Sequence, residues 1–469
     1  MTEIEKVGMF PSYRFLVAFL AFLGHVFIYV SRVNLSVAVV CMVRDRSGNN
    51  TIGSFDNISN TTASPRTGAC GSGAVGTGSS INDRGEFDWS KTETGQLLAM
   101  YFYGYIFLQF PSGWLASRYG GKYVWGVCQT VCAVCTLLTP VCARTSIHLA
   151  YAARFILGFS ASVSFPCVHS MLGRWSPPLE RSRMASITFS GPLIGNILTF
   201  SISGLLCEYG FDNGWGSIFY ISGIGNLLWV VAWFWFVADS PDQHKHISER
   251  ERIYITSSIG KGRVKKVRHT PWLAMLKSRP LWSLLVVHAC SNFTNYTLLT
   301  SLPTFMKESL NFDIKANGAL SALPYICQFL MAMVVGQVAD RIRERRLMST
   351  KNVRKLFQSI SLLGAGTFVS TMGLMGCEER YIAVVMLCLG FVLLSANTAG
   401  YISNHLDLAP SYAGLLLGIT NTVATVPGMI APTIASALTP EVSHTFNDWN
   451  KVAVVCCWVS QTLWPQSLA

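Results

Sequence analysis

Long apolar segments separated by short polar ones dominate the chain from residue 15 onward. The first runs from Phe15 to Val43, and a bilayer-spanning helix needs about 20 apolar residues. Ten more segments of similar length follow, and together they predict an all-α membrane protein. These segments are Thr92–Ser117, Tyr123–Ala143, Ile147–Leu172, Met184–Cys207, Ser217–Val237, Leu281–Met306, Ala316–Ala339, Val353–Gly376, Tyr381–Ile402 and Ala413–Leu438.

The spacing of these segments predicts two halves of six helices each. A tail (1–14) precedes the first half (15–237), and a basic linker (238–280) leads to the second half (281–469). This arrangement is typical of many secondary transporters. The last apolar run, 452–463, is shorter than the ~17 residues needed to cross a bilayer. We therefore expect the second half to be atypical after about residue 450.

The positions of the basic residues predict which ends of the helices face the cytosol. The net charge is +12, and most basic residues lie in the linker and in short loops on its side. Loops rich in Lys and Arg stay in the cytosol, so the N-terminal tail and the linker are predicted to be cytosolic. The same placement argues against nucleic acid as a partner and for the lipid bilayer. A short surface helix is expected at 246–252.

The polar loop at 44–88 is then predicted to be lumenal or extracellular. It carries three sequons, at Asn49, Asn57 and Asn60, which we expect to be glycosylated. Cys70 lies in this loop and Cys377 in another loop on the same side. The sequence leaves open whether these two cysteines pair.

Composition narrows the class of protein. The chain is 51% hydrophobic and only 13% charged, against about 25% charged in soluble proteins. No metal-ligand spacing, nucleotide-binding glycine loop or nucleophile motif appears. We therefore expect neither an enzyme nor a resident cofactor or metal. The ion that could move together with the substrate is a proton or sodium. The protein is expected to be a monomer.

One charged residue stands out within the first apolar segment. Arg32 lies two-thirds of the way along Phe15–Val43, where a charge costs at least ~2.5 kcal/mol. The guanidinium fork binds carboxylates and phosphates, so Arg32 is a candidate anion-binding residue in a transport cavity. The alternative is an arginine that extends along the helix toward the interface.

A short motif occurs at corresponding places in the two halves. Gly113–Lys122 reads GWLASRYGGK and Gly336–Ile342 reads GQVADRI. Both resemble the loop signature of the major facilitator superfamily, in which a glycine allows close helix packing. Arg118, Asp340 and Arg341 are accordingly candidate gating residues.

Further stretches resemble one branch of that superfamily, the organic anion transporters that include sialin, the vesicular glutamate transporters and phosphate cotransporters. The resemblance spans about residues 13–449. The stretches are YVSRVNLS (29–36), FDWS (87–90), YGYI (103–106), WSPPLERSR (175–183), YTLLTSLP (296–303) and SNHLDLAPSYAG (403–414).

The resemblance implies that Arg32 binds the substrate carboxylate. It also implies that Tyr29, Tyr105 and Tyr296 line the cavity, where aromatic walls suit a sugar acid or amino acid. The alternative for each tyrosine is a place in the aromatic belt at the membrane interface.

The fourth helix departs from the family pattern. Sialin-like transporters carry acidic residues there, and the matching positions are Leu157 and Ala161. Arg154 and His169 remain as coupling candidates. Arg154 needs another partner or a bound anion. His169 titrates near neutrality or is a hydrogen-bonded histidine at the helix end.

Two further positions differ from the pattern of the vesicular glutamate transporters. Ser291 and Leu98 stand where glutamate transporters carry an arginine and a histidine, which favours a sialin-like protein. His25 and His288, inside helices, are interpreted as packed polar residues.

The predicted function is proton-linked export of sialic acid or other acidic sugars or amino acids across a lysosomal or vesicular membrane, with the plasma membrane as an alternative location. One alternative function is a sodium- or potential-driven carrier of phosphate or organic anions. Another is a membrane binding protein that keeps a transporter fold without transporting.

Overall fold

A computed structural model describes residues 10–44, 85–109, 111–177, 180–260, 273, 275, 277–310, 312–372, 375, 379–408 and 413–438. Helices account for nearly all of this part of the chain, and its β-structure is a single isolated bridge. The all-α prediction is confirmed.

The helices of the first half agree with the predicted apolar segments. Several of these segments form two consecutive helices. They are α1 (Tyr13–Met42), α2 (Lys91–Gln109), α3 (Ser112–Tyr119), α4 (Gly121–Thr145), α5 (Ile147–Ala161), α6 (Ser164–Trp175), α7 (Arg181–Phe189), α8 (Gly191–Tyr209) and α9 (Trp215–Phe236).

The linker and the second half continue in the same way. The linker helix begins three residues later than the sequence predicted. The helices are α10 (Glu249–Gly260), α11 (Arg279–Glu308), α12 (Ile314–Glu344), α13 (Thr350–Ser359), α14 (Ala365–Met372), α15 (Arg380–Leu394), α16 (Tyr401–Leu408) and α17 (Ala413–Leu438). A π-helical turn (Ile360–Gly364) joins α13 to α14.

Seven helical segments in the described part of the chain are long and apolar enough to cross a membrane. Consecutive helices such as α5 and α6 count together as one segment. The seven are Tyr13–Met42, Gly121–Thr145, Ile147–Trp175, Met184–Tyr209, Trp215–Phe236, Ala316–Glu344 and Arg380–His405.

The two sides of the bundle are named here by the segments that join the helices on each of them. The first-loop end holds the end of α1 and the start of α2, and the linker end holds the start of α1 and α10. At the first-loop end, Arg44 N–H donates to the Phe87 carbonyl at 2.8 Å and Phe87 N–H to the Met42 carbonyl at 3.0 Å. These bonds bring the two ends of the polar loop together.

The core of the first half is built around three tryptophans. Trp125, Trp229 and Trp233 are buried, and their ring centroids lie 4.6 to 5.1 Å apart. The indole N–H of Trp229 donates to the Leu20 carbonyl at 2.8 Å. Burial of each such ring contributes stabilisation in proportion to its large apolar area. These contacts fix α1 against α4 and α9.

The two halves meet at the first-loop end. The Lys91 ammonium lies 2.9 Å from the Glu308 carboxylate, and the Lys307 ammonium donates to the Val40 carbonyl at 3.0 Å. Gly95 of α2 packs directly against Ser436 of α17. The bundle is therefore closed between its halves at this end.

Some sequence predictions lie outside the described residues. These are the three sequons at Asn49, Asn57 and Asn60, the Cys70 and Cys377 pair, and the run 452–463. The structure joins Cys41 at the end of α1 to Cys207 on α8 by a disulfide. The division into two halves at 237 and 281 stays a prediction.

Candidate functional site

Arg32 lies inside the bundle, on the part of α1 nearer the first-loop end. The residue is 6% exposed, and its Nε and Nη2 atoms have no hydrogen-bond partner among the described residues. Buried N–H groups without acceptors are costly, because they have lost their hydrogen bonds to water and gained none in return. Arg32 therefore presents unused N–H donors to whatever enters the space beside it.

Five aromatic rings surround this guanidinium and form what we call the aromatic cage. Its carbon lies 4.6 Å from the centroid of the Tyr296 ring and 4.8 Å from that of Phe102. Cations are attracted to ring faces within about 6 Å, by ~0.5–2 kcal/mol each. The cage consists of Tyr29, Tyr101, Phe102, Tyr105 and Tyr296.

The sequence analysis named three cage residues and missed Tyr101 and Phe102. Tyr101 and Tyr105 are four residues apart on α2, so they share one face of that helix, and their rings stack at 5.7 Å. The signal was present in the aromatic run 101–105. What places the rings at Arg32 is the close crossing of α2 and α5, where Gly158 packs against the Tyr101 carbonyl.

Arg154, on α5, holds α1 at the site. Its Nη1 donates to the Ser31 carbonyl at 3.0 Å, and its Nη2 donates to the Arg32 carbonyl at 2.9 Å. The Asn34 side-chain oxygen lies 3.4 Å from Nη1. The sequence analysis expected Arg154 to need a partner, and the partners are two backbone carbonyls and an amide of α1.

The space beside Arg32 is small. It is bounded by side chains that include Ser36, Leu98 and Thr300, and it has room for only about one water molecule. Phe102 of the first half is among the residues that line it, and the Phe102 ring centroid lies 4.8 Å from that of Tyr296 of the second half. A space of this size is too small for an organic acid.

Tyr296 also has a fixed partner on its own helix. The Asn292 amide donates to the Tyr296 hydroxyl at 3.1 Å and to the Ala424 carbonyl, also at 3.1 Å. A phenol that accepts one hydrogen bond keeps its own O–H for another acceptor. Tyr296 can therefore donate to an anion bound at Arg32.

The remaining predicted residues lie elsewhere. His169 is on the exposed face of α6, where its ring stacks on Phe189 at 4.6 Å. The Arg118 guanidinium, in the last turn of α3, lies 5.5 Å from the centroid of the Trp114 ring, and Arg341 is exposed near the end of α12. The side chain of Asp340 lies outside the described residues.

The positions where the family pattern departs are also resolved. Leu157 and Ala161, the positions where the resemblance implied acids, are both 1% exposed. Ser291 is buried, 3.4 Å from the Gln358 amide. Among the described residues, no group of His, Cys, Asp and Glu side chains is arranged to hold a metal ion.

Comparison with known proteins identifies the family of the chain. The family model of the Major Facilitator Superfamily matches residues 15–432. The chain is 39% identical to sialin of Homo sapiens over 97% of its own length and 88% of that protein. It is 32% identical to vesicular glutamate transporter 3 of Danio rerio over 96% of its length and 71% of that protein.

A third relative, a putative inorganic phosphate cotransporter of Drosophila melanogaster, is 38% identical over 95% of this chain and 82% of that protein. Among solved structures, a bacterial homolog of the human lysosomal transporter Spinster superposes with a TM-score of 0.68 at 12% identity, over 98% and 97% of the two chains. The xylose transporter XylE from E. coli superposes with a TM-score of 0.64 at 13% identity, over 97% of each chain.

These likenesses to solved structures show the fold, and the relatives show the family. The related proteins are transporters, which confirms that the chain is not an enzyme. The resemblance to the organic anion transporters, which the sequence motifs indicated, is likewise confirmed. The chain belongs to the Major Facilitator Superfamily, in the branch that contains sialin and the vesicular glutamate transporters.

Proposed function

We propose that this protein transports organic anions, and that its substrate is sialic acid or another acidic sugar or amino acid leaving a lysosome or vesicle with protons. One observation carries the proposal: a buried guanidinium with unused N–H donors stands in a cage of aromatic rings. Arginine binds carboxylates through paired N–H donors, and ring faces suit the apolar side of a sugar or amino acid.

The place of the cage supports transport rather than simple binding. Phe102 belongs to α2 and Tyr296 to α11, so the two predicted halves each supply part of its wall. Rocking of the halves about a central site is how such transporters give alternating access. Separation of the halves opens the cage, and their closure buries a bound anion.

Orientation follows from charge. Arginines and lysines concentrate at the linker end, which supports the proposal that this end lies in the cytosol. The first-loop end then faces the lumen, where the closure by Lys91, Glu308 and Lys307 lies. Substrate in the cage would leave this conformation toward the cytosol.

A sodium- or potential-driven carrier of phosphate or organic anions is the second candidate. The fourth span has Leu157 and Ala161 in place of acids, and a phosphate cotransporter by name is among the relatives. Arginine also binds phosphate. A protein that binds anions without moving them is the third candidate, from another class.

Uptake into proteoliposomes distinguishes these candidates. Labelled sialic acid, glucuronic acid, glutamate and phosphate are offered with an imposed proton gradient, a sodium gradient or neither. Uptake of an organic acid that the proton gradient stimulates is expected. Sodium-stimulated phosphate uptake would establish the second candidate, and saturable binding without any flux would establish the third.

Two arginine variants complete the experiment. Arg32→Ala is expected to abolish uptake, because the anion loses the guanidinium of the cage, whereas the terminal nitrogens of the nearby Arg154 are bound to α1 carbonyls. Arg252→Ala is the matched control, since Arg252 is 42% exposed on α10 and pairs with Glu249 of the same helix. Equal uptake by the wild type and Arg32→Ala would contradict the anion-binding role.

A further inference from the structure

Two buried histidines of the second half share one threonine hydroxyl. His288 Nδ1 on α11 lies 3.1 Å from Thr420 Oγ1 on α17, and His405 Nε2 on α16 lies 2.8 Å from the same oxygen. His288 and His405 are 4% and 3% exposed, and their ring centroids are 5.9 Å apart. We call these three residues the histidine relay.

The partners of His405 decide which of its nitrogens carries hydrogen in the neutral state. Its Nδ1 faces two backbone carbonyls, those of Tyr401 at 3.0 Å and Ile402 at 3.3 Å. Carbonyls only accept, so Nδ1 carries the hydrogen and Nε2 accepts from the Thr420 hydroxyl. His288 then donates from Nδ1 to Thr420 Oγ1.

The same atoms can hold one more proton without moving. The Thr420 oxygen also lies 3.2 Å from the Leu417 carbonyl. When a proton arrives at His405 Nε2, the Thr420 O–H turns to Leu417 and its oxygen accepts from the new N–H. Both N–H groups of the imidazolium then have acceptors, which is what a buried charge requires.

The charged and titratable groups around the relay are few. α11 contributes His288, and α16 contributes Tyr401 and His405, while the side chain of its Asp407 lies outside the described residues. The described part of α17 contains no titratable residue. From α13, Arg354 donates to the Ala399 carbonyl at 2.8 Å. The nearest charged residue that we describe on α1 is Arg32, which lies in the cage. A proton on the relay therefore adds positive charge where no carboxylate is described.

A polar stripe on α11 connects the relay to the cage. His288, Asn292 and Tyr296 are four residues apart and share one face of the helix, and the Asn292 amide donates to the Tyr296 hydroxyl at 3.1 Å. Two helical turns of this kind span about 12 Å. The Tyr296 ring ends the stripe 4.6 Å from the Arg32 guanidinium.

We propose that the histidine relay is the proton-binding site of this transporter, in place of the acids that its fourth span lacks. The inference rests on the proposed function, since it assumes that an anion binds in the cage. A proton on the relay offsets the charge of that anion, and the α11 stripe links the two sites. The proposal revises the interpretation of His288 as a packed polar residue, because only the fold brings His405 to it.

The test separates proton coupling from transport. In proteoliposomes, exchange of labelled for unlabelled sialic acid at equal pH requires only substrate binding and movement of the halves. Net uptake driven by a pH gradient, with proton entry followed by a trapped fluorescent dye, requires a proton site. Four variants are compared with the wild type: His405→Gln, His288→Gln, Thr420→Val and the control Thr422→Val.

Exchange is expected in all four variants, because none of these residues is in the cage. Gradient-driven uptake and proton entry are expected to fall at least about fivefold in the first three, the scale of a typical coupling free energy. Thr422→Val should behave as the wild type, since that hydroxyl bonds the Gly418 carbonyl of its own helix at 2.8 Å. Thr420→Val keeps both imidazoles, so it tests the relay even if a histidine variant fails to fold.

Three results would overturn the proposal. They are wild-type exchange without proton entry, undiminished proton entry in the His405 and His288 variants, and an equal loss of coupling in Thr422→Val. The absence of exchange of any acid by the wild type is a different result, because it contradicts the proposed function itself.

Discussion

Two buried arginines occupy neighbouring helices of the first half, and the protein holds them in opposite ways. Arg154 uses both terminal nitrogens on carbonyl and amide oxygens of α1. Arg32 faces aromatic rings and keeps Nε and Nη2 without partners in the described part of the protein. Burial alone therefore does not identify an anion site.

The difference assigns a role to each residue. Arg154 fixes the backbone of α1 at Ser31 and Arg32, so it is a positioning residue. Arg32 is left with binding capacity, which is what a ligand site needs. A third arginine, Arg144 at the first-loop end, is held by two carboxylates and completes the comparison.

The largest expected effect is on stability, from Arg154→Met. This change removes the bonds to two α1 carbonyls and opens a gap where a long side chain was packed. We expect a loss of about 2–4 kcal/mol, because buried hydrogen bonds and packing are lost together. Thermal unfolding of the detergent-purified protein measures it. An unchanged midpoint would contradict the positioning role.

Arg32→Lys should impair transport more than folding. The ammonium keeps the charge but loses the planar fork, so we expect transport of a carboxylate to fall about tenfold or more. The measurement is uptake at several substrate concentrations, and the control is the exposed Arg252→Lys. Uptake equal to the wild type would show that charge alone is enough.

For Arg32→Met we expect the opposite effect on stability to that of Arg154→Met. Arg32 has no carboxylate partner among the described residues, and replacing buried ionic groups by apolar side chains of similar size is often neutral or stabilising by ~1–4 kcal/mol. The thermal midpoint without substrate should therefore stay or rise, whereas uptake is lost. A midpoint lowered as far as in Arg154→Met would remove the distinction between the two arginines.

Tyr296→Phe tests the cage wall with a smaller change. The ring remains over Arg32, but the hydroxyl that accepts from Asn292 is gone. We expect a rise in KM of about three- to tenfold, the value of one lost hydrogen bond of ~0.5–1.5 kcal/mol. Tyr209→Phe, 70% exposed on α8, is the matched control. A fall in kcat alone would mean that the hydroxyl does not bind substrate.

The smallest expected effect is a pH dependence of stability that comes from Glu86, the partner of Arg144. Hydrogen bonds from Arg144 lower the pKa of Glu86 to about 2, helped by Asn213 and Trp215. A lowered carboxyl pKa means that ionised Glu86 stabilises the fold above the ordinary carboxyl range, and that this stabilisation is lost as pH falls toward 2.

Thermal midpoints between pH 7 and pH 5 should therefore show no pH dependence that comes from Glu86, since its stabilisation is fully present there, and those below about pH 4 should show a decline that Glu86→Gln reduces. The contribution is modest, because the ion pair with Arg144 is partly exposed to solvent. A pH dependence between 7 and 5 that Glu86→Gln removes would contradict this assignment.

Several features followed from the sequence for simple physical reasons. Apolar segments must be helical in a bilayer, because every backbone group needs a partner within its own segment. The positions of the helices were therefore predictable to within a few residues, as α4 and α9 show. Arg32 could be singled out for the same reason, since a charge within such a segment is costly.

Only the tertiary structure decided which polar residues share a site. Tyr101 and Phe102 reach Arg32 because α2 and α5 cross closely at glycines, and the terminal nitrogens of Arg154 donate to backbone carbonyls that no sequence pattern marks. His288 and His405 are 117 residues apart, and Thr420 of a third helix joins them. Hydropathy and charge are read along one segment, so the sequence determined the helices and marked Arg32 as a costly charge. Packing between distant segments determined the partners, and therefore the chemistry.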